Sequence, residues 1–273
     1  MNATGLDGII NVNLQWEKRV LTMITAVITG ASSGLGRELA LGIKKIFPEI
    51  EELWLVARRR DRLEELAAGL DVRCEIIAAD ITAGDGMAEL SRRIAEKKPE
   101  IRLLVNNAGC GTLGNFDGME ISGQLNMVDL NIRALTAVTR VALDFMPEGG
   151  NIINISSIAS FVPNARMAVY CASKSYVRAF SRALGMELRG RKIAVTAICP
   201  GPMSTEFLDV AGINGNSKTF EKLPRVPAAK VAMGALRAAR KRRPVYTPGL
   251  FYKFYRVLSA VVPDTIMMWF ART

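Results

Sequence analysis

From Met23 to about Pro248 the chain alternates short apolar runs, rich in β-branched residues, with longer stretches in which apolar positions recur at helical spacing. The first kind predicts strands over Ile24 to Thr29, Leu53 to Ala57, Arg73 to Ala79, Leu103 to Asn106, Asn151 to Ser156 and Ile193 to Ile198, with Val245 to Thr247 as a weak last one. The second predicts helices over Leu35 to Phe47, Arg59 to Gly69, Gly84 to Glu96, Gln124 to Phe145, Met167 to Leu188 and Ala228 to Arg240. Strands that are apolar throughout, alternating with helices, indicate a parallel sheet covered on both faces and joined by right-handed crossovers. The expected class is therefore α/β, doubly wound, in three α/β/α layers. No repeat, low-complexity run or Pro/Gly-rich linker divides the chain, so one domain is expected over 23–250, with an N-terminal extension (1–22) and a C-terminal helical tail (251–273). The extension could be an extra helix, a frayed arm or an upstream translational start.

Composition narrows the chemistry. At 273 residues and 49% apolar the chain can bury a sizeable core, which excludes disorder, collagen and small disulfide scaffolds. It contains no histidine, so a Ser-His-Asp triad, a Cys-His dyad and His-containing zinc sites are all ruled out. Cys74, Cys110, Cys171 and Cys199 are far apart and show no metal-ligand spacing; no metal is expected, and a reduced cytoplasmic chain is the simplest reading. The opening residues lack a signal-peptide pattern, and no window reaches the roughly 18 apolar residues of a spanning helix. The net charge of +10 invites a nucleic-acid or membrane reading, but residues 225–273 carry ten basic residues and one acid, leaving the rest nearly neutral.

The first strand runs into Thr29-Gly30-Ala31-Ser32-Ser33-Gly34-Leu35-Gly36 and then into a helix. Glycines there permit a tight turn and close approach to a pyrophosphate, which the free N–H groups of the helix start can bind. The spacing is GxxxGxG rather than GxGxxG, and a purely structural turn is the alternative. About 20 residues on, an acid would accept the ribose 2′-OH of NAD. Here the second strand ends in Val56-Ala57-Arg58-Arg59-Arg60, with no acid before Asp61. The arginines can clamp a 2′-phosphate, with Arg58 the preferred one, so NADP(H) is expected over NAD(H). Asp80-Ile81, at the end of the third strand, is placed where an adenine would lie, although Asp80 would also make a good helix cap.

Asn106-Asn107-Ala108-Gly109 closes the fourth strand, Ser156-Ser157 the fifth, and Tyr170-Cys171-Ala172-Ser173-Lys174 lies on the following helix. Tyr and Lys four apart share a helix face, and a neighbouring cation lowers a phenol's pKa, giving a chain without histidine an acid/base group. All of these elements end at the carboxyl edge of the expected sheet, where doubly wound proteins bind ligands. In these motifs, and in Asn131 of DLNIRA and the Pro200-Gly201 turn followed by Thr205, residues 23–250 resemble the short-chain dehydrogenase/reductase family in its single-domain form.

The resemblance implies a Rossmann-type seven-stranded sheet of order 3-2-1-4-5-6-7 and a catalytic tetrad of Asn131, Ser157, Tyr170 and Lys174. It implies that Tyr170 protonates the developing alkoxide while Ser157 binds the same oxygen, that Lys174 holds the nicotinamide ribose and biases Tyr170, and that Asn131 positions a relay water. Gly30, Ser32, Ser33, Gly34, Leu35, Gly36, Arg58, Asp80, Ile81, Asn107, Ala108 and Gly109, with Tyr170 and Lys174, would hold the cofactor. Pro200, Gly201 and Thr205 would abut its carboxamide. A lid over Met203 to Lys222, with Phe207, Leu208, Val210, Ile213 and Phe220, suits an apolar carbonyl or alcohol substrate; Leu113, Phe116 and the Ile158 to Met167 loop would add wall. The helices around 124–145 and 167–188 imply a homodimer or homotetramer. The aromatic tail either covers the cleft or a subunit interface, which is preferred, or lies on an anionic membrane as part of a lipid-ketone reductase. A catalytically silent NADP(H)-binding regulator and a nucleic-acid binder are the disfavoured rivals; no recognition motif accompanies the tail's charge.

Overall fold

Side chains alternate across each strand, and both sets are apolar, so each strand buries two faces. Ala26, Ile28, Leu53, Leu55, Leu103, Val105 and Ile153 point to one side, and Val27, Trp54, Val56, Leu104, Ile152 and Val195 to the other; all are at most 5% exposed. The computed structural model describes residues 22–213, 215–217 and 221–270. Residues 1–21, which make up nearly all of the expected extension, together with Lys218 and Phe220 of the expected lid, lie outside the described residues.

Seven parallel strands form one sheet: β1 (Ile24–Thr29), β2 (Glu52–Ala57), β3 (Arg73–Ala78), β4 (Glu100–Asn106), β5 (Asn151–Ile155), β6 (Ala194–Ile198) and β7 (Val245–Tyr246). Their order is β3-β2-β1-β4-β5-β6-β7, as the resemblance implied. The crossovers carry α1 (Gly34–Ile46), α2 (Arg60–Ala68), α3 (Gly84–Lys97), α4 (Ile121–Val128), α5 (Leu135–Leu143), α6 (Ala168–Glu187), α7 (Glu206–Val210) and α8 (Ala228–Arg240). Helices α1, α2 and α8 cover one face and α3, α5 and α6 the other. Between α4 and α5, Asp129–Ala134 adopts a π-helical turn, splitting what the periodicity predicts as one helix. The extra residue per turn shifts the side-chain phase at Asn131, a distortion often found at functional positions.

A polar chain crosses the otherwise apolar layer beneath α6. Asn106 Nδ2 donates to Thr139 Oγ1 and to Asn154 Oδ1, both at 2.8 Å, and Asn154 Nδ2 donates to Ser181 Oγ at 2.9 Å. These buried bonds fix the register of α6 against β4 and β5, since a slip would leave several polar groups unpaired.

Beyond β7, α9 (Leu250–Val261) and α10 (Asp264–Phe270) form the tail, with Pro263 and Asp264 at the start of the second helix. The tail's charge is not gathered in one place. Arg240 pairs with Glu49 and stacks on Phe47, and Arg242 donates to the Lys192 carbonyl, so the basic run 240–243 lies at the amino edge of the sheet. Only Lys253 and Arg256 belong to the described helices beyond the carboxyl edge.

Candidate active site

The two motifs at the ends of β1 and β4 are built around each other. Thr29 Oγ1 accepts the backbone N–H groups of Asn107 and Ala108 at 3.1 Å each, and Asn107 Nδ2 donates to the carbonyls of Thr29 and Gly30 at 3.1 and 3.0 Å. Gly30, at φ +67°, lies so close that a Cβ would sit 2.8 Å from the Ala108 backbone; a Cβ on Gly36 would meet the Gly30 carbonyl at 2.1 Å. Only glycine serves at these positions.

One cavity of about 580 Å³ runs along the carboxyl edge. It is lined by every catalytic or cofactor residue expected from the sequence except Gly36 and Asn131. Gly36 packs beneath the turn against Gly30 and Asn107, and Asn131 is 1% exposed. Asn131 Nδ2 donates to Cys110 O (2.9 Å) and Ser173 Oγ (3.0 Å), while its Oδ1 accepts Cys110 N–H (2.9 Å). Both of its amide protons are thus used in tying the loop after β4 to α6.

At one end of the cavity Ala57, Arg58, Arg59, Asp80 and the Ser32-Ser33 turn come together. Arg58 is 75% exposed and pairs with Asp80 at 3.8 Å. Arg59 is the arginine seated on the turn: its guanidinium donates to Ser32 Oγ (3.2 Å), Ser33 Oγ (2.9 Å) and Glu206 Oε2 (3.1 Å), and Arg62 also bonds Glu206. Sequence alone singled out Arg58; Arg59, the residue that caps the start of α2, is the one that leans back toward the turn. Asp80 does not cap α3, which starts after Ala83; its Oδ1 accepts from Thr82 N (2.9 Å) and Thr82 Oγ1 (2.6 Å). Those bonds, helped by Arg58 and opposed by burial, hold the Asp80 carboxyl below its usual value. A glycine cradle, two hydroxyls and two guanidinium groups fit the phosphates of a dinucleotide.

At the other end stand Ser157, Tyr170 and Lys174, all at most 9% exposed. Lys174 Nζ donates to Ile155 O at 3.0 Å and lies 5.8 Å from the centre of the Tyr170 ring. Ser156, next to Ser157 in the chain, anchors α6 by donating to Lys174 O at 2.7 Å. The expected lowering of the Tyr170 pKa is not what this arrangement produces. Burial pushes the phenol up to about 12, partly drawn back by a hydrogen-bonding contact with Ser157, and burial brings the Lys174 ammonium down to about 8. Desolvation outweighs the cation because both groups are enclosed together. Tyr170 is therefore protonated at neutral pH.

The lid helix α7 packs Phe207 against Tyr170, with ring centroids 5.9 Å apart, and Leu113 N–H bonds Ala211 O at 2.9 Å to fasten it. Ile158, Val162 and Met167 line the cavity as expected; Leu113 packs outside it and Phe116, 65% exposed, faces solvent because Asn115 starts a short 3-10 turn that carries it outward. The tail supplies further wall, in line with the preferred reading that it covers the cleft or a subunit interface. Phe251, Tyr252, Tyr255 and Met267 all line the cavity. Tyr252 fits against Gly201, where a Cβ would lie 2.3 Å from its ring, and its hydroxyl donates to Pro224 O at 2.6 Å. Among the described residues no cluster of His, Cys, Asp or Glu could hold a metal ion.

The family model described as short chain dehydrogenase matches residues 24–213. The serine 3-dehydrogenase of Agrobacterium fabrum (strain C58 / ATCC 33970) is 35% identical over 205 residues, 73% of this chain and 79% of that protein. The structure of a short-chain dehydrogenase from Sphingobium yanoikuyae in complex with NADPH superposes with a TM-score of 0.74 at 32% identity, covering 88% of this chain and 96% of that one. The bulky-bulky ketone specific alcohol dehydrogenase from Comamonas testosteroni gives a TM-score of 0.69 at 28% identity, covering 89% and 96%.

Proposed function

Because the chain belongs to the short-chain dehydrogenase/reductase family, and so is an oxidoreductase of alcohol and carbonyl groups, we propose that it interconverts a mainly apolar ketone and its secondary alcohol with NADP(H). The observation that carries this reading is one cavity with a guanidinium-and-hydroxyl cluster at one end and the Ser157-Tyr170-Lys174 group at the other, walled by apolar side chains.

Ala57, Arg58, Arg59, Ser32 and Ser33 would hold the 2′-phosphate, and Asp80 and Ile81 would border the adenine. The turn Gly30 to Leu35 would receive the pyrophosphate; Asn107 to Gly109, Pro200, Gly201 and Thr205 would border the nicotinamide half. When bound, NADP(H) supplies or takes up the hydride. In the reducing direction Tyr170 donates its proton to the substrate oxygen as negative charge grows there. Ser157 donates a hydrogen bond to the same oxygen, which orients the carbonyl and stabilises the developing alkoxide. Lys174, near 8 and thus largely charged at neutral pH, offers an ammonium to the ribose hydroxyls and stabilises the tyrosinate that follows proton transfer. Asn131 acts by holding the Cys110 backbone against α6, and its Oδ1 keeps a second lone pair for a relay water. Phe207, Phe251, Tyr252, Tyr255 and Met267 exclude water and favour a bulky apolar substrate. Assembly as a homodimer or homotetramer through the α4–α6 face is part of the proposal, supported by exposed Ile121, Leu125 and Met186.

A screen following NADPH and NADH oxidation over cyclic, aromatic and long-chain ketones tests this reading. The expected result is NADPH-dependent reduction with lower KM for the larger ketones; turnover confined to small charged carbonyls, or to NADH, contradicts it.

A further inference from the structure

A surface helix ordinarily shows one apolar stripe, turned to the core, and a polar one turned to water. Helix α9 has two apolar stripes. Tyr252 and Tyr255 face inward, Tyr252 at 1% exposure. On the opposite side Leu250, Phe254, Val257 and Val261, spaced i, i+4, i+7 and i+11, are 82%, 66%, 64% and 78% exposed. Helix α10 adds Ile266, Met268 and Trp269 at 50%, 41% and 62%. An exposed apolar surface of this extent marks an interaction site.

The charges beside it say what kind. Lys253 and Arg256, three apart, lie along one flank of α9. Arg256 and Arg182 act as like charges on Arg178, whose guanidinium stacks 5.2 Å over Phe161, and Phe161 in turn packs against Tyr255. Arg182, Lys253 and Arg256 have no carboxylate partner among the described residues. Within the two helices Asp264 is the one acid. A second copy docked through this face would bring two such cationic flanks together without acids to offset them. A surface of anionic lipid headgroups offsets them, and its acyl layer takes up the apolar stripe.

We propose that α9 and α10 form a monotopic docking face that lies in the headgroup layer of an anionic membrane. The face does not depend on the choice of cofactor. Where the reductase reading also holds, the same helices separate lipid from the cavity, with Phe251 lining the cavity while 49% exposed, so an apolar carbonyl compound dissolved in the bilayer is the substrate source.

The test is flotation of the full-length protein with vesicles of phosphatidylcholine alone or with one quarter phosphatidylglycerol, alongside light scattering of the protein without lipid. Two double variants are compared: Phe254→Ser with Val257→Ser, and Lys253→Glu with Arg256→Glu. All four residues are exposed, and retained thermal melting and NADPH fluorescence verify folding. Expected are co-flotation with the anionic vesicles, at least a tenfold loss of partitioning in each variant, and a similar loss at 1 M salt, since each cation near such a surface is worth about fivefold. No flotation, flotation indifferent to both variants, or a drop in oligomer mass in the serine variant without lipid would overturn the proposal, the last by assigning the face to a second copy.

Discussion

Arg59 joins the glycine-rich turn to the lid: one guanidinium nitrogen sits 3.1 Å from Glu206 on α7 and the other within 3.2 Å of both Ser32 and Ser33 hydroxyls. The residue that would clamp a 2′-phosphate is thus also the one that tethers the segment covering the substrate. Removing it by Arg59→Ala is expected to raise KM for NADPH by about tenfold or more, the worth of one charge-assisted hydrogen bond, and to leave KM for NADH within about twofold. Glu206→Gln relieves the guanidinium of a competing carboxylate and is expected to lower KM for NADPH by about two- to fivefold, as exposed ion pairs contribute little. Steady-state kinetics with both cofactors measure this; equal effects on the two cofactors contradict the assignment.

Lys174 is enclosed with one carbonyl acceptor, and burial holds its ammonium near 8 against an ordinary 10.5. The unfolded chain therefore binds more protons than the folded one between about pH 8 and 10.5, so this group's destabilising contribution is full below 8 and fades as pH rises through that window. Lys174→Met is expected to stabilise the fold by about 3 kcal/mol at pH 7, from 1.36 kcal/mol per pH unit, with the advantage vanishing toward pH 10.5. Urea unfolding of both proteins at pH 7, 8, 9 and 10 checks the sign and the window. The same variant is expected to lose turnover.

Most of this architecture was legible in the sequence because buried parallel strands leave continuous apolar runs, such as Val27 to Ile28 and Leu103 to Val105, and because TGxxxGxG and NNAG each require backbone geometry that few other residues permit. The π turn at Asn131 was not legible, since periodicity registers apolar phase and not the hydrogen bonds that Asn131 makes to Cys110 and Ser173. Arg58 and Arg59 look alike in sequence; the direction in which the chain enters α2 separates them. The sign of the Tyr170 shift was missed because spacing reveals the neighbouring cation and not the depth at which both groups lie. Tyr252 found its place through Gly201, a fit between residues 51 positions apart that no local pattern encodes.

Gly111 lies between the lid and the catalytic ring: a Cβ there would approach Phe207 at 2.9 Å and Tyr170 at 3.0 Å. Gly111→Ala is expected to push Phe207 aside and displace the phenol, lowering kcat/KM for bulky ketones by about tenfold while costing about 1–3 kcal/mol in stability. Kinetics combined with thermal melting separate these effects. A variant with unchanged kcat/KM contradicts the close packing of lid and tyrosine.

The role of Tyr170 as proton donor is the claim on which the rest depends, and the Tyr170→Phe variant tests it most directly, with NADPH binding followed by fluorescence and turnover followed by NADPH oxidation on the best ketone. The ring and its packing against Phe207 are kept, so binding is expected within about threefold of the parent, while loss of the donated proton lowers kcat by about 10²–10⁴-fold. Turnover retained within tenfold of the parent, with cofactor binding intact, would contradict the account.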